Sequence, residues 1–355
     1  MSIRVFIVDD SAVVRKVLTE LLASASGIEV IGTAQDPIFA QTNMEKNWPD
    51  VIILDVEMPR MDGITFLKKI MSERPTPVIM CSTLTAEGTK TSIQALSIGA
   101  IDVVAKPKMN LRSSLPEASS ELVSAIRTAA KANMASAKLK PIAPIPKVGT
   151  KLTADAMLSR GASRNAGKTG ALIAIGASTG GTQALEAVLT ALPANTLPIL
   201  IVQHMPEKFT RTFAERLNQL CRVEVKEAED NDALVPGRVL IAPGGMHMML
   251  HATQFGASVQ VKDGPQVSRH KPSVDVLFRS VSKYAGSNAL GIIMTGMGDD
   301  GAKGLKEMHD SGAKTIAQNE ATCVVYGMPQ EAVKLGAADK IIALNKIPEM
   351  IVSHK

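Results

Sequence analysis

The sequence predicts an α/β protein made of two parallel-sheet domains joined by a linker. Short apolar runs alternate with helical patterns along most of the chain, which is typical of parallel strands covered by helices. Hydrophobic residues make up 45% of the chain but aromatic residues only 3%, and aliphatic cores of this kind suit buried parallel sheets. At 355 residues the chain is long enough for two such cores.

Residues 131–168 differ in composition from the rest of the chain. They are rich in Ala, Ser, Pro and Lys, and they carry eight Lys or Arg against one Asp, whereas the whole chain has a net charge of +5. Because this stretch lacks sustained periodicity, we expect a linker that is mostly disordered or polyproline-like. The division is therefore 1–130, linker 131–168, and 169–355. Since the positive charge lies in the linker and no helix-turn-helix pattern follows it, nucleic-acid binding is not expected.

Nothing in the sequence indicates membrane insertion or secretion. No apolar run approaches the roughly 18–20 residues of a membrane span, and the start, "MSIRVFIVDDS", reaches acidic residues too early for a signal peptide. The three cysteines are scattered and show no C-x-x-C spacing, so they read as buried thiols in a reducing compartment. We therefore expect a soluble cytoplasmic protein.

The first domain contains five strand patterns, "RVFIV", "EVIGTA", "DVIILD", "PVIMCS" and "DVVAKP", separated by helical stretches. This alternation predicts a doubly wound, five-stranded parallel sheet. Functional residues of such sheets collect beyond the carboxyl ends of the strands. The polar residues at those positions are Asp9, Asp10, Asp55, Ser82, Thr83 and Lys106.

Three carboxylates that converge at one sheet edge repel one another and require a cation. Hard oxygen ligands favour Mg²⁺, which keeps part of its water shell and can bridge to a phosphoryl group. Lys106 supplies a second positive charge, and a hydroxyl can bind a phosphoryl oxygen. Each residue also has an ordinary explanation, since Asp10 before Ser11 is compatible with a helix N-cap. Their joint occurrence at four strand ends favours a phosphoryl site.

The arrangement resembles the receiver domain of bacterial response regulators over its whole length, including "DVEMPRMDG" after the third strand and "KP" after the fifth. The resemblance implies that Asp55 is the phosphoacceptor. It implies that Asp9 and Asp10 lie on the Mg²⁺ side, together with the backbone carbonyl of Glu57.

The same resemblance assigns the other side of the phosphoryl group. It implies that Lys106 contacts the phosphate and that its bond to Pro107 is cis. The switch hydroxyl falls on Ser82 when "PVIMCS" is matched to the fourth strand, and Thr83, which follows directly, remains the alternative.

Residues 169–355 repeat the α/β pattern with the apolar runs "ALIAIG", "LPILIVQ", "RVLIAP", "ALGIIMTG" and "KTIAQ". Helical stretches such as "TQALEAVLTAL" and "EKFTRTFAERLNQL" lie between them. The segment "HMMLHATQFGASVQVKD" alternates apolar and polar residues around "FGA" and predicts a hairpin inserted at one sheet edge. We expect a mostly parallel sheet with this antiparallel excursion.

The turn "GASTG" after the first of these strands carries Ser178. Its glycine spacing does not match a dinucleotide-binding loop, and no Gly-Lys-Ser/Thr closes it as in a Walker loop. It does fit G-x-S-x-G, which exposes a serine on a sharp strand-to-helix turn and leaves N–H groups free for an oxyanion. Because small residues are common in such turns, this motif alone is a weak indication of catalysis.

Candidate partners for the serine stand at other strand ends. His204 follows "LPILIVQ", and Asp299 and Asp300 follow "ALGIIMTGMG". The two aspartates are also compatible with a helix N-cap, and His270 in "SRHKPSVD" is a rival for the histidine. A serine, a histidine and an aspartate beyond three buried strands favour a hydrolytic triad. Its chain order differs from the Ser…Asp…His order of α/β-hydrolases.

The motifs "IGASTGG", "VQHMP", "APGG", "KPSVDVLF" and "TGMGDDG", joined to a receiver domain, resemble the chemotaxis response-regulator protein-glutamate methylesterase family over nearly the whole chain. The resemblance implies Ser178 as nucleophile, His204 as general base and acid, and Asp300 as the orienting acid. It places the oxyanion donors at the main-chain N–H groups near Thr179 and Met297. The family often has Asn where this chain has Asp299, which leaves the choice between the two aspartates open.

The resemblance also implies an activity. Family members demethylate γ-glutamyl methyl esters on the cytoplasmic helices of methyl-accepting chemoreceptors, deamidate certain receptor glutamines, and need no cofactor for catalysis. The chemotaxis histidine kinase is the implied phosphodonor, and the receiver is expected to restrain the esterase until Asp55 is phosphorylated. The alternative is a non-enzymatic response regulator whose output domain binds a partner or a nucleotide. Such a module has no need for all three strand-end residues.

Overall fold

The computed structural model describes residues 2–56, 58, 61–82, 85–106, 115–134, 152–159, 169–253 and 256–354. The chain divides into two compact units, Met1–Ala135 and Ser136–Lys355. Within the described part of the chain, no helix is both long enough and apolar enough to span a bilayer.

The first unit is the predicted five-stranded parallel sheet, with strand order β2-β1-β3-β4-β5. Residues of β3 and β4 are buried along their whole length because helices cover both faces. The helices begin where side chains accept amide hydrogen bonds, at Ser11, Asp36, Asp62 and Thr85. The elements in order are β1 (Ile3–Val8), α1 (Ala12–Ala23), β2 (Ile28–Ala34), α2 (Pro37–Lys46), β3 (Val51–Asp55), α3 (Gly63–Glu73), β4 (Val78–Ser82), α4 (Ala86–Ile98), β5 (Asp102–Ala105) and α5 (Leu115–Ala129).

The second unit contains a seven-stranded parallel sheet with strand order β14-β13-β12-β6-β7-β9-β8. The sheet and its flanking helices confirm the α/β prediction for this domain. The elements are β6 (Leu172–Ala177), α6 (Gly181–Thr190), β7 (Ile199–Gln203), α7 (Phe209–Leu220), β8 (Glu224–Glu227), β9 (Arg238–Ile241), β10 (His247–Thr253), β11 (Gly256–Lys262), α8 (Val274–Tyr284), β12 (Ala289–Ile293), α9 (Ala302–Asp310), β13 (Lys314–Gln318), α10 (Met328–Lys334), β14 (Lys340–Ile342) and α11 (Ile347–Ser353).

The three central strands carry the candidate catalytic residues. Strand β6 lies between β12 and β7, and all residues of these three strands are buried. Their carboxyl ends lead directly into the segments that carry Ser178, His204 and Asp300. Because parallel strands end at the same edge of a sheet, the fold gathers Ser178, His204 and Asp300 along that edge.

The predicted hairpin is present, but it does not extend an edge of the main sheet. Strands β10 and β11 pair with each other in a separate two-stranded sheet. Their apolar side chains Met248, Leu250 and Val259 join the core cluster that contains Leu277 and Val281 of α8. The hairpin therefore covers α8, and the expectation of an edge insertion was wrong because periodicity specifies a strand but not its partner.

A short stretch of the predicted linker is folded onto the second unit. Residues 152–158, here called the anchor segment, include a 3-10 helix at Ala154–Ala156. Ala154 is buried among Met249, Val267 and Val276, and Asp155 forms an ion pair with Arg279 at 2.8 Å. The composition of residues 131–168 gave no indication of this helix. Apart from 131–134 and 152–159, the predicted linker lies outside the described residues.

Candidate functional site

Ser178 follows β6 in a tight turn that leads into α6. Its N–H donates to the carbonyl of Thr295 at 3.0 Å, and its own carbonyl accepts from Gly181 at 2.7 Å. Gly180 has a φ of +76°, and a Cβ at that position would lie 2.5 Å from Val324, so the turn requires glycine there. The serine is held by its backbone at the sheet edge, and its residue remains partly exposed.

His204 stands beside this turn at the end of β7. Its N–H donates to the carbonyl of Ala177 at 3.1 Å, and its Nε2 lies 2.8 Å from Oδ2 of Asp300. The Nδ1 atom is buried and has no hydrogen-bond partner, so the Ser178 hydroxyl does not bond to it in this structure. Burial lowers the pKa of His204 well below its usual range, so the imidazole is neutral at rest and able to accept a proton at Nδ1.

Asp300 precedes α9 in the chain and is buried against the N-terminus of α8. This packing places its carboxylate beside His204. Its Oδ1 accepts from the Ser273 hydroxyl at 2.8 Å and from the Asp275 amide at 3.0 Å, and its Oδ2 accepts from the Val274 amide at 2.8 Å. Burial raises the pKa of Asp300, while the helix amides and the hydroxyl oppose that rise. These donors fix the carboxylate that contacts the imidazole.

Asp275 is a second buried carboxylate, and sequence reasoning missed it. Its Oδ1 accepts from the amides of Gly301 and Gly304 at the start of α9, and its Oδ2 accepts from the Ser268 hydroxyl at 2.8 Å. Burial, followed by the charge of Asp300, raises the pKa of Asp275 to about 7. An aspartate in the first turn of a helix normally signals only a favourable dipole, so its buried role had no signature in the sequence.

His270, the rival histidine, lies against His204. The two rings stack with centroids 3.7 Å apart and an interplanar angle of 8°. His270 closes a turn in which its N–H donates to the carbonyl of Val267, and its carbonyl accepts from the Val267 N–H in return. The two residues inside that turn, Ser268 and Arg269, have positive φ values of 50° and 72°. His204 makes the carboxylate contact, whereas His270 covers the face of its ring.

The anchor segment supports this turn from the outside. The Ser268 N–H donates to the carbonyl of Leu152 at 2.9 Å, while the Ser268 hydroxyl reaches Asp275. Arg279 is buried and binds both Asp155 and, through two hydrogen bonds, Glu307. Residues from the linker region thus contact the turn that carries His270.

The residues expected to supply oxyanion donors flank the serine. The Thr179 carbonyl accepts from the Thr295 hydroxyl at 3.0 Å. Within the described part of the chain the Thr179 N–H donates no hydrogen bond. Met297 follows Gly296, and a Cβ on Gly296 would lie 2.7 Å from the Cβ of Ser178. The loop after β12 therefore packs directly against the serine. Asp299 is partly exposed in the same loop.

The acidic residues of the receiver unit converge at the carboxyl ends of β1 and β3. Single carboxylate oxygens of Asp9, Asp10 and Asp55 lie within 4.8 Å of one another. Lys106 at the end of β5 contacts Asp55 at 2.7 Å and Asp9 at 3.1 Å. Burial lowers the pKa of Lys106, but the two carboxylates raise it by more, so the net shift is upward.

This acidic cluster fits a divalent cation. Asp9 and Asp55 are almost fully buried, and the buried Oδ2 of Asp9 has the Lys106 ammonium 3.1 Å away as its ion-pair partner. A buried carboxylate oxygen in such a position can serve as an oxygen ligand for Mg²⁺.

The remaining receiver predictions fall partly beyond the described residues. Ser82 is buried at the end of β4, and its hydroxyl donates to the carbonyl of Gly88 in α4 at 3.4 Å. Thr83, Glu57 and Pro107 lie outside the described residues, so the alternative switch hydroxyl, the carbonyl ligand and the cis bond stay predictions.

Fold and site together define a response regulator whose output domain carries a serine, histidine and aspartate arrangement of the hydrolase type. Comparison with known families agrees with both halves. The family model "CheB methylesterase" matches residues 173–351, and the model "Response regulator receiver domain" matches residues 5–115. The chain belongs to the CheB methylesterase family, as the sequence motifs predicted.

Relatives of known name cover the full chain. A protein from Chromobacterium violaceum named "Protein-glutamate methylesterase/protein-glutamine glutaminase 2" is 61% identical over 354 residues, which is 99% of each chain. A relative from Pseudomonas savastanoi pv. phaseolicola, with the same name numbered 1, is 59% identical and covers 99% of this chain and 98% of its own. The crystal structure of the Thermotoga maritima CheB methylesterase catalytic domain is 38% identical with a TM-score of 0.50, covering 52% of this chain and 98% of that one.

Proposed function

We propose that the chain hydrolyses γ-glutamyl methyl esters on methyl-accepting chemoreceptors and deamidates specific receptor glutamines during chemotactic adaptation. The observation that carries the proposal is the contact between His204 and Asp300 at the end of the strand beside the one that presents Ser178. Full-length relatives with the matching name support it. The alternative of a non-enzymatic output domain finds no support among these relatives.

The reaction follows from the positions of the three side chains. The Ser178 hydroxyl rotates toward His204, passes its proton to Nδ1, and attacks the ester carbonyl. The tetrahedral intermediate collapses, and the leaving methoxide takes the proton from His204 and departs as methanol. Water then attacks the acyl-enzyme by the same route and releases the glutamate side chain and free Ser178. With glutamine as substrate, ammonia replaces methanol as the leaving group.

Charge develops at two places in this reaction, and the site has groups for both. The oxygen of the tetrahedral intermediate accepts from the N–H groups of Thr179 and Met297 in the proposed oxyanion site. The imidazolium of His204 is stabilised by the carboxylate of Asp300, whose remaining lone pairs are held by α8. Catalysis then requires no metal ion or cofactor from outside the chain.

Phosphorylation of the receiver unit is the proposed control. Asp55 accepts a phosphoryl group from a chemotaxis histidine kinase. Asp9, Asp10, Asp55 and the Glu57 carbonyl would hold Mg²⁺, which would supply positive charge to offset the phosphoryl oxygens. Lys106 then contacts the phosphoryl group, and Ser82 turns toward it from Gly88. The substrates lie on cytoplasmic receptor helices, so the proposal includes a cytoplasmic location.

The proposal is tested by methanol release from a receptor fragment that carries γ-glutamyl methyl esters. Ser178→Ala removes the nucleophile and lowers kcat by roughly 10⁴–10⁶-fold, while Ser353→Ala, at an exposed position of α11, leaves it unchanged. Both variants keep the melting temperature of the unmutated chain. A folded Ser178→Ala variant that retains more than a few per cent of activity contradicts the serine mechanism.

A further inference from the structure

Gln203 is a buried polar residue that the mechanism above does not use. It is the last residue of β7, is 3% exposed, and pairs across the sheet with Ala177, the last residue of β6. Its Nε2 donates to the carbonyl of Ser178 at 2.9 Å and to the carbonyl of His204 at 3.2 Å. One side chain therefore holds the backbone of both the proposed nucleophile and the proposed base.

The Ser178 carbonyl is thereby fixed by two donors. Besides Gln203, the Gly181 N–H reaches it at 2.7 Å. A peptide group is planar and trans, so the carbonyl of Ser178 and the N–H of Thr179 point in opposite directions within one rigid unit. Donors that hold the carbonyl on one side therefore aim the Thr179 N–H to the other side. Hydrogen bonds to a carbonyl also polarise the peptide and strengthen its N–H as a donor.

The neighbouring groups leave this peptide little freedom. The Ser178 N–H is bound to the Thr295 carbonyl, and the Thr179 carbonyl is bound to the Thr295 hydroxyl. The peptides before and after the Ser178–Thr179 unit are thus tied to the loop that follows β12. Within the described residues the Thr179 N–H has no acceptor, so a donor is held ready where substrate charge develops.

The packing around Gln203 shows that its position is specified closely. A Cβ placed on Gly181 would lie 2.1 Å from Oε1 of Gln203, so the turn has space for this side chain only because residue 181 is glycine. The Oε1 atom is buried and has no hydrogen-bond partner. A buried glutamine whose oxygen has no hydrogen-bond partner lowers the stability of the fold. We therefore attribute the role of Gln203 to the two hydrogen bonds that its Nε2 donates.

We infer that Gln203 is a positioning residue of the oxyanion site, holding the Ser178–Thr179 peptide so that the Thr179 N–H can bind the tetrahedral intermediate. The inference rests on the proposed hydrolase function. It predicts an effect on transition-state binding and little effect on substrate binding. A role limited to filling the core and satisfying two carbonyl groups would alter stability alone.

The test compares Gln203→Met, which keeps the volume but removes the donor, with Gln260→Met on the hairpin strand β11. For Gln203→Met in the full chain, kcat falls by about 10-fold to 100-fold with KM changed less than twofold. This loss is smaller than the roughly 10²–10³-fold of a deleted oxyanion donor, because Gly181 still holds the carbonyl. An alkylboronic acid, which forms a tetrahedral adduct on Ser178, loses affinity by a similar factor. Gln260→Met changes none of these quantities.

A measurement on the unmutated chain covers the case in which Gln203→Met does not fold. When the boronate adduct forms, the amide proton of Thr179 shifts downfield in an NMR spectrum as it gains an acceptor. An unchanged Thr179 resonance, or a folded Gln203→Met variant with kcat and boronate affinity within twofold of the unmutated chain, overturns the inference and leaves the hydrolase proposal intact. Absence of Ser178-dependent hydrolysis in the unmutated chain overturns both.

Discussion

Asp275 and Asp300 each accept hydrogen bonds from the N-terminus of the helix that begins next to the other. The carboxylate of Asp300 accepts hydrogen bonds from amides in the first turn of α8, to which Asp275 belongs. The carboxylate of Asp275 accepts hydrogen bonds from amides at the start of α9, which follows Asp300. Two buried acids are thus held by the positive ends of two helices. The position of the acid that contacts His204 depends on both helices at once.

This arrangement predicts a pH-dependent stability. The folded-state pKa of Asp275 is raised to about 7, so between about pH 4 and 7 the folded chain retains a proton that the unfolded chain releases. The free energy of unfolding therefore falls as pH rises through this window. Asp275→Asn removes the titrating group and makes the slope shallower, as urea unfolding of the second unit measures.

Asp263→Asn is the control for that experiment. Asp263 is exposed, and hydrogen bonding to Lys271 lowers its pKa, so its removal does not make the slope shallower between pH 4 and 7. Equal slopes for the unmutated chain and Asp275→Asn contradict the assignment of Asp275 as a proton-binding group of the folded state.

The two adjacent aspartates provide a matched pair for the orienting role. Asp300→Asn lowers kcat by roughly 10²–10⁴-fold because an amide favours the wrong tautomer of His204. Asp299→Asn, one residue earlier and partly exposed, costs less than about threefold in kcat. Methanol release measures both, and the reverse ranking would transfer the orienting role to Asp299.

The stacked histidines provide a second comparison. His204→Gln removes the base and lowers kcat by about 10²–10⁴-fold. His270→Gln removes the ring that covers His204 and costs about 10-fold or less, since Asp300 still holds the imidazole. The pH dependence of kcat in each variant identifies the base. A large loss for His270→Gln together with a mild loss for His204→Gln contradicts the assignment.

Phosphorylation is predicted to activate the full chain. With Mg²⁺ and a small-molecule phosphodonor, methanol release accelerates because the aspartyl phosphate shifts the population away from a restrained state. Asp55→Ala and removal of Mg²⁺ by a chelator each abolish the acceleration without changing the basal rate. A fragment of the second unit alone runs faster than the unphosphorylated chain. A fragment that is no faster rules out simple inhibition.

The anchor segment predicts where that fragment has to begin. A fragment starting at residue 150 keeps the burial of Ala154 and the hydrogen bonds of Arg279 to Asp155 and Leu158, whereas one starting at residue 169 loses them. We expect the shorter fragment to be less stable by about 1–2 kcal/mol, or a melting temperature about 2–8 °C lower. Differential scanning calorimetry measures the shift, and Asp155→Asn in the longer fragment separates the ion pair from the apolar burial. Equal melting temperatures would mean that the segment contributes nothing to stability.

The sequence predicted the features that follow from one-dimensional pattern. Buried parallel strands are continuous apolar runs, and their carboxyl ends share an edge, so Ser178, His204 and the acidic residues of the receiver could be found without a structure. The choice between Asp299 and Asp300 could not be made from the sequence, because the side chains of adjacent loop residues point in different directions and spacing does not specify which one faces His204. In the structure Asp300 faces His204, where the N-terminus of α8 contacts its carboxylate.

Other features left a weak trace or none. Gln203 stands out as a polar residue closing the apolar run "LPILIVQ", and that signal was available. The stacking of His270 on His204 depends on a loop whose path is set by the positive φ values of Ser268 and Arg269. The sequence does not predict these φ values because neither residue is glycine. The anchor segment could not be predicted because residues 131–168 have a composition typical of linkers. One buried alanine and one ion-paired aspartate do not change that composition.

The last residue of β7, Gln203, and the residue that follows it, His204, serve opposite sides of the sheet. Successive strand residues point to opposite faces, so Gln203 turns toward the start of α6 while His204 turns toward Asp300 and α8. A slip of β7 by one residue against β6 would exchange the two faces and bring an amide to the place of the base. A molecule in which β7 is paired one residue out of register therefore loses proton transfer and the support of the serine turn together. Such an error abolishes both functions at once and leaves neither partly intact.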